Sequence, residues 1–160
     1  MSSVDQEKYN RLRTKAEKLF AEKEKIKSAA LGFIRLNSDG LLHLIFKDKK
    51  HKRDWKNQVK RFELLDYLIP VLEGMQYYQE YCERMQTVKV KRQNTILLEA
   101  KTVKYWGFVA VIKDKIRIKI ILKQTGGGEI MFWSIIPYWK TQNYKDIACI
   151  NLATGDIEND

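Results

Sequence analysis

From Val4 to Ala30 the apolar residues Tyr9, Leu12, Ala16, Leu19, Phe20, Ile26 and Ala30 recur at three- and four-residue steps, with Glu and Lys between them. That period predicts an amphipathic helix within residues 1–30. Leu31–Leu36 and Leu41–Phe46 are short apolar runs separated by Asn37-Ser-Asp-Gly40, which predicts a β-hairpin closed by a tight turn. A basic loop from Lys47 then enters a second helix, whose buried stripe is Trp55, Val59, Phe62, Leu65, Leu68, Ile69 and Leu72. Pro70 is expected to kink or end it, because proline lacks the backbone donor and clashes with the preceding turn. Helical spacing continues through Met75, Tyr78, Cys82 and Met85, so a further helical stretch is expected there.

Thereafter the pattern changes. Thr87–Lys91, Ile96–Glu99, Val103–Ile112, Lys115–Lys123 and Glu129–Ile136 are β-branched, aromatic and often alternating, which predicts strands. Lys113-Asp114 and Thr125-Gly-Gly-Gly128 supply the turns of an antiparallel meander. The expected fold is α+β, with helices packed on one face of an antiparallel sheet. The chain's 160 residues fit one domain. Residues 1–152 are assigned to it, with 41–137 as its core, and the acidic tail 153–160 is expected to be frayed.

Composition narrows the classes. With 44% hydrophobic residues the chain has the apolar content for a folded core. No apolar run approaches the length of a membrane-spanning helix. Met1–Asp5 leads into alternating charge without an apolar segment, so a cytoplasmic location is expected. Cys82 and Cys149 have no metal-ligand spacing and are read as plain thiols. No metal or cofactor is expected. Gly126–Gly128 lacks a following Gly-Lys-Ser/Thr and reads as a hairpin turn.

The net charge is +10, and it is segregated. Residues 47–61 hold eight Lys or Arg and two Asp, and residues 101–125 hold seven and one, whereas residues 62–86 carry five acids and one Arg. In the strand after Lys115, alternation puts Arg117, Lys119 and Lys123 on one face and Ile116, Ile118, Ile120 and Leu122 on the other. The neighbouring strand can add Lys104, Trp106 and Phe108 to one face. Aromatic rings beside cations suit bases stacked above a neutralised phosphate backbone, which points to RNA or another nucleic acid as partner. Lys47, Lys52 and Arg53 in the 47–56 loop extend that surface. A solvated sheet face rich in lysine has the same pattern.

The two histidines flank the end of the expected hairpin. On a strand, His43 points to the side of Lys47. His51 sits among Lys and Arg, whose charge favours a neutral imidazole able to accept a proton. A metal-free ribonuclease needs such a base, an acid for the leaving 5′-oxygen, and cations for the phosphorane. There is no Gly-x-Ser-x-Gly elbow, His-Glu-x-x-His or phosphate-binding loop. The strand region 101–125 has one acid, Asp114, too few for a two-metal nuclease.

The order of features resembles the barnase–EndoU–colicin–RelE ribonuclease superfamily, in particular the nuclease domains of phage and polymorphic-toxin proteins. The features are a segment ending in Lys47-Asp-Lys-Lys-His51, a helix with Arg61 and an apolar stripe to Leu72, and strands through Lys104-Tyr-Trp106, Phe108–Ile112 and Ile116–Leu122 that close on Phe132-Trp-Ser-Ile-Ile-Pro137. The resemblance implies RNA bound on the sheet face and metal-independent endoribonuclease activity. By position it would make His51 the acid or base, with His43 as the alternative. Arg61 would contact phosphate, Ser134 would supply a hydroxyl, and Lys104 and Lys123 would be electrostatic supports. Ser134 shares strand parity with Ile130, Phe132 and Ile136, which equally fits a buried serine bonded to backbone. An acidic immunity- or antitoxin-like protein is an implied partner. The competing readings are a non-catalytic nucleic-acid-binding module using Trp106, Arg117, Lys119 and the 47–56 loop, or a domain that docks an acidic protein.

Overall fold

In the computed structural model, which describes residues 1–113, 116–137 and 156–160, the first helix, α1 (Ser3–Glu22), begins at a reciprocal cap. The Ser2 hydroxyl accepts from the Asp5 amide at 3.2 Å, and the Asp5 carboxylate accepts from the Ser2 amide at 3.1 Å. Tyr9, Ala16 and Phe20 form its buried stripe. The helix ends earlier than its apolar period implies. Lys25-Ile-Lys-Ser28 alternates instead, with Ile26 fully buried, and forms β1 (Lys25–Ser28) against β2 (Gly32–Arg35).

The expected hairpin over residues 31–46 is thus shifted toward the N-terminus, and its second half is a helix. In α2 (Ser38–Ile45), Asn37 is an N-cap whose side chain accepts from the Gly40 amide at 3.1 Å. The same Asn-Ser-Asp-Gly chemistry serves a turn or a helix start, and here Leu41, Leu44 and Ile45 bury the helical face. Gly40 is where α2 touches the sheet: a Cβ there would lie 2.4 Å from the Phe132 carbonyl oxygen.

Asp54 caps α3 (Trp55–Leu64) by accepting from the Asn57 amide at 3.0 Å. A 3₁₀ turn (Leu65–Tyr67) then leads into α4 (Leu68–Gly74). Pro70 stands in the first turn of α4, where its missing donor costs little. No helix follows. Residues 80–92, expected to begin as helix, form β3 (Glu80–Arg92), paired along its whole length with β4 (Thr95–Ile112) through a two-residue turn in which Gln93 and Asn94 both have positive φ. Cross-strand pairing decided what periodicity left ambiguous. β5 (Ile116–Thr125) and β6 (Met131–Pro137) complete the meander.

The six-stranded sheet has the order β1-β2-β6-β5-β4-β3 and is antiparallel except at the β2–β6 junction. Ile118, Ile120 and Leu122 of β5 meet Trp106, Phe108, Phe132 and Ile135 on one face, and the helices cover them with Leu44, Phe62, Leu68 and Leu72. The α+β class and the one-sided helical layer stand as expected. β2 meets β6 only at Arg35–Met131, and α2 and α3 pack against β6. Through this contact α3 places Phe62 in the core while Arg61 reaches the opposite sheet face.

A cleft on the lysine-bearing sheet face as candidate nucleic-acid interface

Strand alternation places Lys119 and Lys123 on the sheet face away from the helices, opposite Ile136 and Met131 of β6. Arg117 lies on the same face, half-buried. Ser134 joins them through a β-bulge. Leu122 pairs with Phe132 but Ile121 pairs with Ser134, so Trp133 is the extra residue and the parity of the strand reverses. Ser134 therefore does not share a face with Phe132. It lies with Lys119 and Ile121, fully buried.

Arg61 approaches this point from α3 and is itself fully buried. Its Nε donates to Asn57 Oδ1 at 2.7 Å, and Nη1 donates to both Ser134 Oγ and the Asp160 backbone oxygen at 2.6 Å. Its Nη2 is buried with no hydrogen-bond partner among the described residues. Burial, reinforced by Arg53, holds the guanidinium well below its ordinary range, and only the Asp160 charge opposes them. Lys119, also fully buried, donates to Asp160 Oδ2 at 3.0 Å and lies 3.4 Å from Glu80 Oε2. Arg61, Ser134 and Lys119 thus converge from three elements on Asp160.

His43 is carried by α2, so it does not lie on a strand beside Lys47 as the alternation implied. Its ring stacks on Trp133 at 4.0 Å between centroids, and its carbonyl accepts from Arg53 Nε at 3.1 Å. Arg53 Nη2 sits 3.3 Å from His43 Nε2, and because guanidinium can only donate, Nε2 is the acceptor nitrogen of a neutral ring. Burial first, then the charges of Arg53, Arg61 and Lys123, push the imidazole down to about 2. On the other side of Trp133, Lys123 Nζ stands 3.8 Å from the indole centroid and 5.6 Å from that of Tyr105. Burial lowers the Lys123 ammonium, offset in part by Glu158 and Asp39.

These side chains border a cleft of about 650 Å³, where Lys47, Lys49 and Lys123 are interleaved with the acids Asp39, Asp48 and Glu158 around His43 and Trp133. His51 points elsewhere. It is exposed, with Nδ1 2.8 Å from the Asp48 carboxylate, so its closest charge is an acid rather than the lysines around it in sequence. Lys52 is exposed and forms an isolated bridge with Phe46. Lys104 and Trp106 lie on the helix-facing side of β4, opposite Gln124 and Leu122, and Trp106 is buried against the core. The aromatic groups that do accompany the cations are Trp133 and Tyr105, which the sequence reading passed over. Their signal was available in the parity of β4 for Tyr105, whereas Trp133 depended on the bulge.

The acidic tail, expected to be frayed, reaches the same face. Residues 153–155 and Cys149 fall outside the described residues, but Asp156–Asp160 pack there, with Ile157 buried among Val103, Tyr105 and Ile121. Cys82 carries a free thiol beside that cluster. Among the described residues, no helix is long and apolar enough to cross a membrane. No group of three or more His, Cys, Asp or Glu among them could hold a metal ion. Comparison with protein-family models, curated proteins and solved structures finds no match.

Proposed function

We propose that this chain binds single-stranded RNA across the cationic sheet face and cleaves it by metal-independent transesterification, as the resemblance to the barnase–EndoU–colicin–RelE superfamily implies. The carrying observation is the convergence of Arg61, Ser134 and Lys119 on one residue deep in the face, Arg61 and Ser134 on the Asp160 main-chain oxygen and Lys119 on its carboxylate. Charged donors with a hydroxyl between them suit the non-bridging oxygens of a phosphodiester. Trp133, with one face taken by the His43 ring and the other by Lys123, is a rigid wall that holds the Lys123 ammonium at the cleft, where it can meet a phosphate.

The chemistry assigns each proton. As the phosphate draws Arg53 away from Nε2, the His43 imidazole regains basicity and takes the 2′-hydroxyl proton there while the 2′-oxygen attacks phosphorus. The bond to the 5′-oxygen breaks, and Lys123, whose ammonium burial makes a better acid, protonates that oxygen. Arg61 and Arg53 stabilise the charge of the phosphorane. A 2′,3′-cyclic phosphate and a free 5′-hydroxyl result. His43 replaces His51 as the acid–base candidate because it borders the cleft.

One observation favours a binding module without cleavage: His43 is 6% exposed and its acceptor nitrogen is already engaged by Arg53. The test is incubation of the purified protein with end-labelled tRNA and a short single-stranded RNA in excess EDTA, beside His43→Gln and Lys123→Gln. Cleavage to cyclic-phosphate ends, reduced in both variants, is expected. Retained but intact RNA would leave the binding module alone, and RNA neither retained nor cut would overturn both readings.

A further inference from the structure

Asp156–Asp160 presents a series of oxygens to the cationic face. Glu158 takes Arg84 at 2.7 Å and Gln86 at 2.8 Å through its carboxylate, and its carbonyl accepts from Trp133 Nε1 at 3.1 Å. The Asn159 carbonyl accepts from Arg53 at 3.3 Å. Asp160 gives its carboxylate to Lys119 and its backbone oxygen to Arg61 and Ser134. The segment holds its own shape, since Asp156 accepts from the Glu158 amide at 3.1 Å and from Asn159 Nδ2 at 2.6 Å. Successive acidic or carbonyl oxygens on cations and an indole match what a nucleic-acid strand would offer here.

The match is incomplete in an informative way. Arg61 is fully buried, yet among the described residues its Nη2 is unpartnered although Nη1 serves two acceptors. A buried donor without an acceptor costs free energy. A phosphodiester, with two non-bridging oxygens, can engage both Nη1 and Nη2 of a guanidinium, whereas Asp160 is held through Nη1. The segment is held chiefly by polar and charged contacts of the kind a phosphate strand can exchange, and Ile157 is its buried apolar residue, packed among Val103, Tyr105 and Ile121.

We infer that Asp156–Asp160 is an intramolecular mimic of an RNA strand, occupying the Arg61–Ser134–Lys119 phosphate site until RNA displaces it. This deepens the RNA reading above and rests on it. A competitor in the site multiplies the apparent affinity by the fraction of molecules in which the site is open, so loosening the tail must tighten RNA binding.

Ile157→Ser removes the anchor without changing net charge. Asp160→Asn removes the Lys119 contact, and Asp66→Asn on the helical side is its charge-matched control. Binding of a fluorescein-labelled single-stranded RNA is followed by anisotropy, with thermal melting to establish that each variant is folded. Ile157→Ser and Asp160→Asn are expected to bind about ten-fold tighter than the parent, a rise Asp66→Asn does not reproduce. The peptide Asp-Ile-Glu-Asn-Asp added to Ile157→Ser is expected to compete with the RNA. Equal binding by parent and tail variants overturns the inference and leaves the RNA reading standing. Binding by none of them removes both.

Discussion

His43 exchanges its charge for a place in the packed interior. Its folded-state value near 2 lies far below the ordinary 6.5, with burial the largest cause and the charges of Arg53, Arg61 and Lys123 next. The folded state therefore binds fewer protons than the unfolded chain at any pH between those two values. Stability from this group is present above 6.5 and is lost as the pH falls below it, at about 1.4 kcal/mol per unit. Between pH 7 and pH 5 the parent is expected to lose about 2 kcal/mol through His43. Urea denaturation at the two pH values, beside His43→Gln, measures it. The variant keeps an acceptor for Arg53 and is expected to show a correspondingly shallower dependence. An identical pH dependence in both proteins would mean that the imidazole titrates normally in the fold.

At the scale of elements, the N-terminus of α2 rests on the Asn37 cap. Asn37→Ala is expected to cost about 1 kcal/mol, and Asn37→Asp to retain most of it, both read from the denaturation midpoint. The cap also explains what was legible in the sequence. Strong alternation, as in Lys115–Lys123, gave the strand, its faces and the position of Lys119 and Lys123 correctly, because period 2 directly encodes side. Asn37–Gly40 could not be assigned the same way, since one chemistry closes a turn or opens a helix and only the packing of Leu44 and Ile45 chooses. Residues 80–85 carried helical spacing, yet pairing with Thr102–Gly107 outweighed it. In the candidate site, Arg61 and Ser134 came from the resemblance. Their meeting required the Trp133 bulge, which no local pattern announces. Trp106 was misjudged through the choice of face: its neighbour Tyr105 has the parity that meets Lys123.

For the whole molecule, the question is how much of the +10 charge reaches a ligand. Many cations are committed elsewhere: Lys8, Arg13 and Lys15 pair with acids on the helical side, and Lys25 and Arg35 pair with Glu129. At the cleft, Lys47, Lys49 and Lys123 line the open part, while Arg61 and Lys119 are engaged by the tail. Counterion release ties the salt dependence of binding to the number of phosphates neutralised, with a slope of about −0.7 per contact for single strands. Three to four contacts in the parent imply a plot of log affinity against log salt with a slope of about −2 to −3. Freeing Arg61 adds one cation, Lys119 keeping Glu80 at 3.4 Å, so Ile157→Ser is expected to be steeper by about 0.7. Anisotropy titrations across a salt series check both values in one experiment. The difference between the slopes carries information that affinity alone does not, because a tail variant that bound tighter through general loosening would shift the line without steepening it. A parallel shift would locate the tail's effect outside the Arg61–Lys119 site, and a steeper line would locate it within.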